Sequence, residues 1–230
     1  MLLIVLWAVA AVPAGNQAPA DPDPNRFAQE IKAFADWDGK NAVPAEPVLF
    51  VGSSSIRLWR THESFPDLPV INRGFGGSQI SDVIHFADRV VLPYQAKVIV
   101  FYAGDNDIAA GKSAQRVLAD YRKFAGVVHA GRPAARIIFL AIKPSRARWP
   151  LWPEAKKANE LLREFCRSDD RLAYADLNAS LLGTDGTPDP GLFFDDRLHL
   201  NARGYAVWTT ALAPILHQAL TRSGPAGGKS

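Results

Sequence analysis

The sequence predicts an α/β fold in which a doubly wound parallel sheet of about five strands lies between layers of helix. Short apolar runs recur at 48–51, 70–72, 98–102, 137–142 and 172–176, each rich in β-branched or aromatic residues. None alternates apolar with polar, so each reads as a strand buried on both faces, the signature of a parallel sheet. Longer segments of helical spacing separate the runs, and such an alternation packs as a central sheet covered by helices on both sides.

Taken in chain order, residues 1–12 form an almost unbroken apolar run that ends at Pro13, Ala14 and Gly15. An apolar core of this length before small residues reads as a secretory signal, which implies export to the periplasm or beyond. It falls short of the roughly 20 apolar residues that span a bilayer. No Lys or Arg follows Met1, so an uncleaved membrane anchor is the alternative. We assign 1–20 to this leader and read 18–25, rich in Pro and Asp, as flexible. Helical spacing follows at 26–37, 80–91, 114–130, 153–168 and 202–221, and the Gly- and Ser-containing tail 223–230 reads as disordered.

The chain of 230 residues is long enough for one sizeable core and short for two domains. With 48% hydrophobic and 21% charged residues it has the composition of an ordinary globular protein. A net charge of +3 without a clustered basic face argues against nucleic acid as a partner. Cys166 is the single cysteine, which forbids an intrachain disulfide. It sits on an apolar helical stripe with Leu162 and Phe165 and reads as a small core residue.

In doubly wound folds the ligand site lies outside the carboxyl ends of the strands, so the residues that follow each apolar run become candidates. After the first run comes Gly52-Ser53-Ser54-Ser55-Ile56. It reads either as a hydroxyl held in a tight turn at a helix amino terminus or as a serine helix cap. After the second comes Asn72-Arg73-Gly74-Phe75-Gly76-Gly77-Ser78. Its glycines suit a loop whose backbone N–H groups meet a negative oxygen, or equally a connector. Gly104-Asp105-Asn106-Asp107 follows the third run and reads as a turn by composition. Near the carboxyl end, Asp196 and His199 stand three residues apart. That spacing lets a carboxylate reach Nδ1 of the imidazole and leaves Nε2 to activate a hydroxyl, which at neutral pH is otherwise a poor nucleophile.

Together, in this order, the four segments resemble the blocks of the SGNH (GDSL-type) hydrolase family, which carry Ser, Gly, Asn and His. The resemblance spans nearly all of 48–215 and implies a three-layer αβα, flavodoxin-like fold, with the hydrolase domain over 21–222. It further implies Ser54 as nucleophile, Gly77 and Asn106 as oxyanion donors beside the Ser54 backbone N–H, and His199 as base with Asp196 behind it. The usual first block reads Gly-Asp-Ser, whereas Ser53 stands here in the place of the Asp; register then selects Ser54 over Ser53 and Ser55. The implied reaction is acyl transfer through a covalent intermediate, needing neither a metal nor an organic cofactor. His62, His85, His129 and His217 lack metal-ligand spacing and read as surface or packing residues.

Residues 143–152 after the fourth run combine cations with two indoles. Arg148, Trp149 and Trp152 there read as a wall of the substrate pocket or, alternatively, as a surface anchor. The first block, continuing into Ile56-Arg57-Leu58-Trp59, resembles the branch that includes the platelet-activating-factor acetylhydrolase catalytic subunits, which implies short acyl groups and a small ester substrate. A carbohydrate O-acetylesterase is the nearest alternative. A flavin- or nucleotide-binding module without catalysis is a remote one, disfavoured because neither Gly-x-Gly-x-x-Gly nor a P-loop Lys is present.

Overall fold

A computed structural model of the chain describes residues 19–221. A 3-10 turn at Pro24–Phe27 leads into α1 (Ala28–Asp38), followed by β1 (Val48–Gly52), the short helices α2 (Ser54–Arg57) and α3 (Thr61–Ser64), and β2 (Val70–Gly74). Next come α4 (Ile80–His85), α5 (Ala87–Val90), β3 (Val98–Tyr102), α6 (Asp105–Ala109), α7 (Ala114–Gly131) and β4 (Arg136–Leu140). The chain continues through α8 (Trp152–Cys166), β5 (Leu172–Ala175) and α9 (Ala202–Thr221). All five strands pair in parallel in the order β2-β1-β3-β4-β5.

The strands form because alternate residues bury themselves in two different cores. On one face Leu49, Val51, Ile99, Phe101, Ile137 and Phe139 meet residues of α1, α4, α7 and α8. On the other, Val48, Phe50, Val100, Tyr102, Ile138 and Leu140 pack with Ile56, Trp59, Trp208 and Leu212, largely from α2 and α9. Burying each large side chain contributes roughly 1.5–3 kcal/mol, and the two-sided burial explains why no polar alternation exists to be read. The strands extend the apolar runs by at most two residues or stop two short. Cys166 is buried in the first core, and its burial pushes the thiol up to about 12.

Three expectations change. The helix expected over 80–91 breaks at Phe86, whose backbone leaves the helical region (φ −99, ψ 14) as its ring turns edge-on to Phe75. Residues 104–107, read as a turn, instead open α6 (Asp105–Ala109), with Gly104 as its cap. The stretch read as a flexible leader is fastened from its described part onward. Asp21 pairs with Lys112 at 2.8 Å and Arg116 at 2.7 Å, and Asp23 caps the first 3-10 turn. The physical cause is Lys112, only 1% exposed at its side chain, whose buried ammonium needs carboxylates around it. The leader expected over 1–20 otherwise lies outside the described residues, as does the tail 223–230. Among the described residues no helix is long and apolar enough to cross a membrane.

The strand order places a switch between β1 and its two neighbours, since the chain leaves β1 for β2 on one side and returns to β3 on the other. A crevice forms at the carboxyl ends of strands at such a point. Ser54, Gly77 and Asn106 follow those three strands.

Candidate active site

The site begins with a glycine that no other residue can replace without moving the sheet. Gly52 has φ +141, and a Cβ there would lie 1.9 Å from the Tyr102 carbonyl oxygen. That closeness lets Ser53 N–H donate to the same carbonyl at 2.9 Å. The chain then turns directly from β1 into α2, with Ser53 extended as the cap and Ser54 as the first helical residue. Backbone N–H groups in a first helical turn have no intrahelical acceptor. Ser53 and Ser55 are buried at 1% exposure each, whereas Ser54 is half-buried, so of the three adjacent serines it alone reaches the crevice.

Ser54 Oγ lies 2.9 Å from His199 Nε2, and His199 Nδ1 lies 2.6 Å from Asp196 Oδ2. The second half of this relay is built by one tight turn. Phe194 N–H donates to the His199 carbonyl, Arg197 N–H donates to the Phe194 carbonyl, and Arg197 adopts φ +56. Inside the turn Asp196 Oδ1 accepts the N–H groups of Leu198 and His199, both at 2.9 Å. Slight burial pushes the Asp196 carboxyl upward, but the His199 ring and these two N–H groups outweigh it and hold the pKa down to about 2. A carboxylate fixed in this way fixes the ring in turn, with Nε2 aimed at Ser54. The turn also docks on α2, because Tyr205 from the start of α9 donates through its hydroxyl to the Ser55 carbonyl at 2.9 Å.

Gly77, in the loop after β2, is exposed with φ +82, a conformation that suits glycine. Asn106 joins this loop: its Nδ2 donates to the Ser78 carbonyl at 3.0 Å. Below it, buried Asp107 accepts the Ile80 N–H at 3.2 Å and Lys112 Nζ at 3.0 Å, which ties α6 to the start of α4. Burial pushes the Asp107 carboxyl up to about 6, against the pull of Lys112.

The residues of the loop 143–152 take two different places. Trp149 and Trp152 are half-buried and stack with centroids 6.1 Å apart at 14°. Arg148 instead turns inward: its guanidinium pairs with Asp105 and donates to Asn106 Oδ1 at 2.9 Å. Lys143, which sequence reasoning passed over, is buried and also reaches Asp105, at 3.3 Å, and burial pushes its ammonium down to about 7. The loop is joined to the turn of Asp196 and His199 by the Ala147 N–H, which donates to the Arg197 carbonyl at 3.1 Å. A groove of about 680 Å³ runs between α3 and the start of α9, lined by Leu58, Trp59, Phe194, Tyr205 and Thr209 among others. Leu58 and Phe194 are the exposed apolar residues of its rim. No cluster of ligating side chains that could hold a metal occurs among the described residues.

The sequence pattern of the GDSL-like lipase/acylhydrolase family matches residues 50–207. The chain matches none of the curated proteins. Among solved structures it is similar to a Streptococcus pneumonia protein provisionally described as a platelet activating factor, at 19% identity and TM-score 0.74, over 83% of this chain and 93% of that one. It is also similar to a GDSL-like lipase from Bacteroides thetaiotaomicron, at 18% identity and TM-score 0.69, over 82% and 98%. A carbohydrate esterase of family 3 from Talaromyces cellulolyticus aligns at 18% identity and TM-score 0.62, over 76% and 99%. At these identities the likeness is one of fold.

Proposed function

As a member of the GDSL-like lipase/acylhydrolase family the chain is a hydrolase of esters, and we propose that it cleaves short-chain carboxylic esters through an acyl-enzyme on Ser54. One observation carries the reading: an unbroken relay from Ser54 Oγ through the His199 ring to Asp196, with steps of 2.9 and 2.6 Å. A hydroxyl, a base and an orienting carboxylate so arranged are the parts that activate a serine.

Ser54 Oγ attacks the ester carbonyl carbon while its proton passes to His199 Nε2. Negative charge develops on the former carbonyl oxygen and is met by the backbone N–H groups of Ser54 and Gly77 and by Asn106 Nδ2. Each such donor is worth about a hundredfold to a thousandfold in rate. The imidazolium, stabilised by Asp196, then gives its proton to the departing alkoxide, and the alcohol leaves. Water enters, loses a proton to His199 and attacks the acyl carbon. Collapse of the second tetrahedral intermediate returns the proton to Ser54 and frees the acid.

A second reading, removal of O-acetyl groups from glycans, is favoured by the parallel Trp149–Trp152 pair, since indole faces suit sugar rings. The fold shared with the Talaromyces carbohydrate esterase is compatible with it. The test is hydrolysis of p-nitrophenyl esters from acetate to octanoate and of acetylated xylan, by the wild type and Ser54→Ala. We expect turnover to fall with acyl length and to vanish in the variant to within the roughly millionfold loss known for nucleophile removal. Activity retained in Ser54→Ala would reject the acyl-enzyme reading. Activity on xylan with none on p-nitrophenyl acetate would select the glycan reading.

A further inference from the structure

Arg148 stands on a substrate-facing loop yet spends its charge beneath the site. Its side chain is 24% exposed, its guanidinium pairs with Asp105, and Nη2 donates to Asn106 Oδ1 at 2.9 Å. Asp105 is itself held from two more sides, by Lys143 Nζ at 3.3 Å and by the Tyr102 hydroxyl at 3.2 Å. Beside Asp105, Lys143, Ser145, Arg148 and Trp152 lies a void of about 10 Å³. That is room for about one water.

We infer that Arg148 is a positioning residue, which locks the orientation of the Asn106 amide and strengthens its Nδ2 as a donor to the oxyanion. The inference rests on the acyl-enzyme reading and on Asn106 as an oxyanion donor. The reason lies in the symmetry of a primary amide. Rotation by half a turn exchanges its oxygen and nitrogen at little steric cost, and the exchanged form would aim Oδ1 at the Ser78 carbonyl and at the developing negative charge. Guanidinium has five N–H donors and no acceptor, so Arg148 tolerates only the orientation with Oδ1 toward itself. Nδ2 must then face Ser78 and the loop of Gly77. A cation on Oδ1 also draws electron density from the amide, and bonds in such a chain reinforce one another. The device is fixed at both ends, because Asp105 precedes Asn106 in α6 while Ala147 is bonded to the turn of Asp196 and His199.

The test is a double-mutant cycle with p-nitrophenyl acetate. Asn106→Ala should lower kcat by about a hundredfold to a thousandfold, as loss of one oxyanion donor does. Arg148→Ala should lower kcat by about tenfold to a hundredfold, less than loss of the donor itself, with KM unchanged within about threefold. In the Asn106→Ala background Arg148→Ala should cost about twofold or less, because its effect passes through the absent amide. Arg148→Gln, which keeps a donor toward Oδ1 without the charge, should recover part of kcat, and it serves as the folded substitute if the alanine variant melts early. A rise in KM for Arg148→Ala, or an undiminished loss in the Asn106→Ala background, would overturn the inference and return Arg148 to direct substrate contact. Full activity of Asn106→Ala beside an inactive Ser54→Ala would overturn it differently, by removing Asn106 from the oxyanion site while leaving the acyl-enzyme intact. Loss of neither would refute the acyl-enzyme reading itself.

Discussion

Replacing Asp196 by Asn changes one atom and should reverse the direction of the relay. Asp196 Oδ1 accepts two backbone N–H groups, from Leu198 and His199, while Oδ2 faces His199 Nδ1. The asparagine oxygen will keep the two backbone donors, because turning the amide round would set its NH2 against both of them. Its Nδ2 then faces Nδ1, which must become an acceptor, so the ring proton moves to Nε2. Ser54 Oγ now meets a donor where it needs an acceptor. Turning the amide back strands two N–H groups at a cost of about 1 kcal/mol each, the low end for such groups because Asp196 is exposed to water. The charge-assisted bond that steadies the imidazolium, about 1.5–3 kcal/mol, is lost as well. Together they raise the barrier by about 3.5–5 kcal/mol, a fall in kcat of about four-hundredfold to five-thousandfold. The corresponding change in a serine protease triad costs about ten-thousandfold. Initial rates with p-nitrophenyl acetate at saturating substrate, alongside a thermal melt, measure it. An Asp196→Asn enzyme within tenfold of the wild type would show that something other than Asp196 sets the tautomer of His199.

Two further predictions concern stability. Lys112→Met should destabilise the fold by about 3–5 kcal/mol, since it leaves the fully buried Asp107 without its cation, and adding Asp107→Leu should restore most of the loss. Urea unfolding midpoints check both, and a Lys112→Met protein as stable as the wild type would refute the view of Lys112 as the buried tie between α6, α7 and the segment of Asp21. The pH dependence has opposite signs at the two aspartates. The raised Asp107 pKa, about 6 against the ordinary 3.8, withdraws stability as pH climbs from about 4 to 6. The lowered Asp196 pKa, about 2, adds stability above the ordinary carboxyl pKa and surrenders it as pH falls through about 2. Screening keeps the Asp196 contribution small because the carboxylate is exposed. Asp196→Asn should therefore be slightly less stable than the wild type near neutrality and equal to it at about pH 2, which paired urea titrations will show; a constant gap at both would refute the linkage.

Much of this was legible in sequence because the signals are local. Two-faced burial leaves unbroken apolar runs, so the five strands declared themselves to within two residues. Asp196 and His199 lie in one turn, and their spacing alone proposed the carboxylate–imidazole contact that the structure displays. Choosing among Ser53, Ser54 and Ser55 rested on register against the first block of the family the sequence resembles, and in the structure Ser53 and Ser55 are buried while Ser54 is half-buried. What escaped notice depends on distant partners. Nothing near Arg148 indicates that it faces Asp105 and Asn106, more than forty positions earlier. Asp21 likewise carries no local mark of Lys112. The break at Phe86, whose ring lies edge-on to Phe75, leaves no mark in the apolar spacing, and α6 is too short to leave a period.

The distance between Ser54 and His199 along the chain, 145 positions, also sets an order in time. During synthesis Ser54 is made early and stays without the His199 ring while β2 through β5 are laid down. Only when the last turn and the start of α9 have emerged can the contact between Ser54 and His199 form. On the acyl-enzyme reading, a chain that ends anywhere before His199 carries its serine without a base and should be inert.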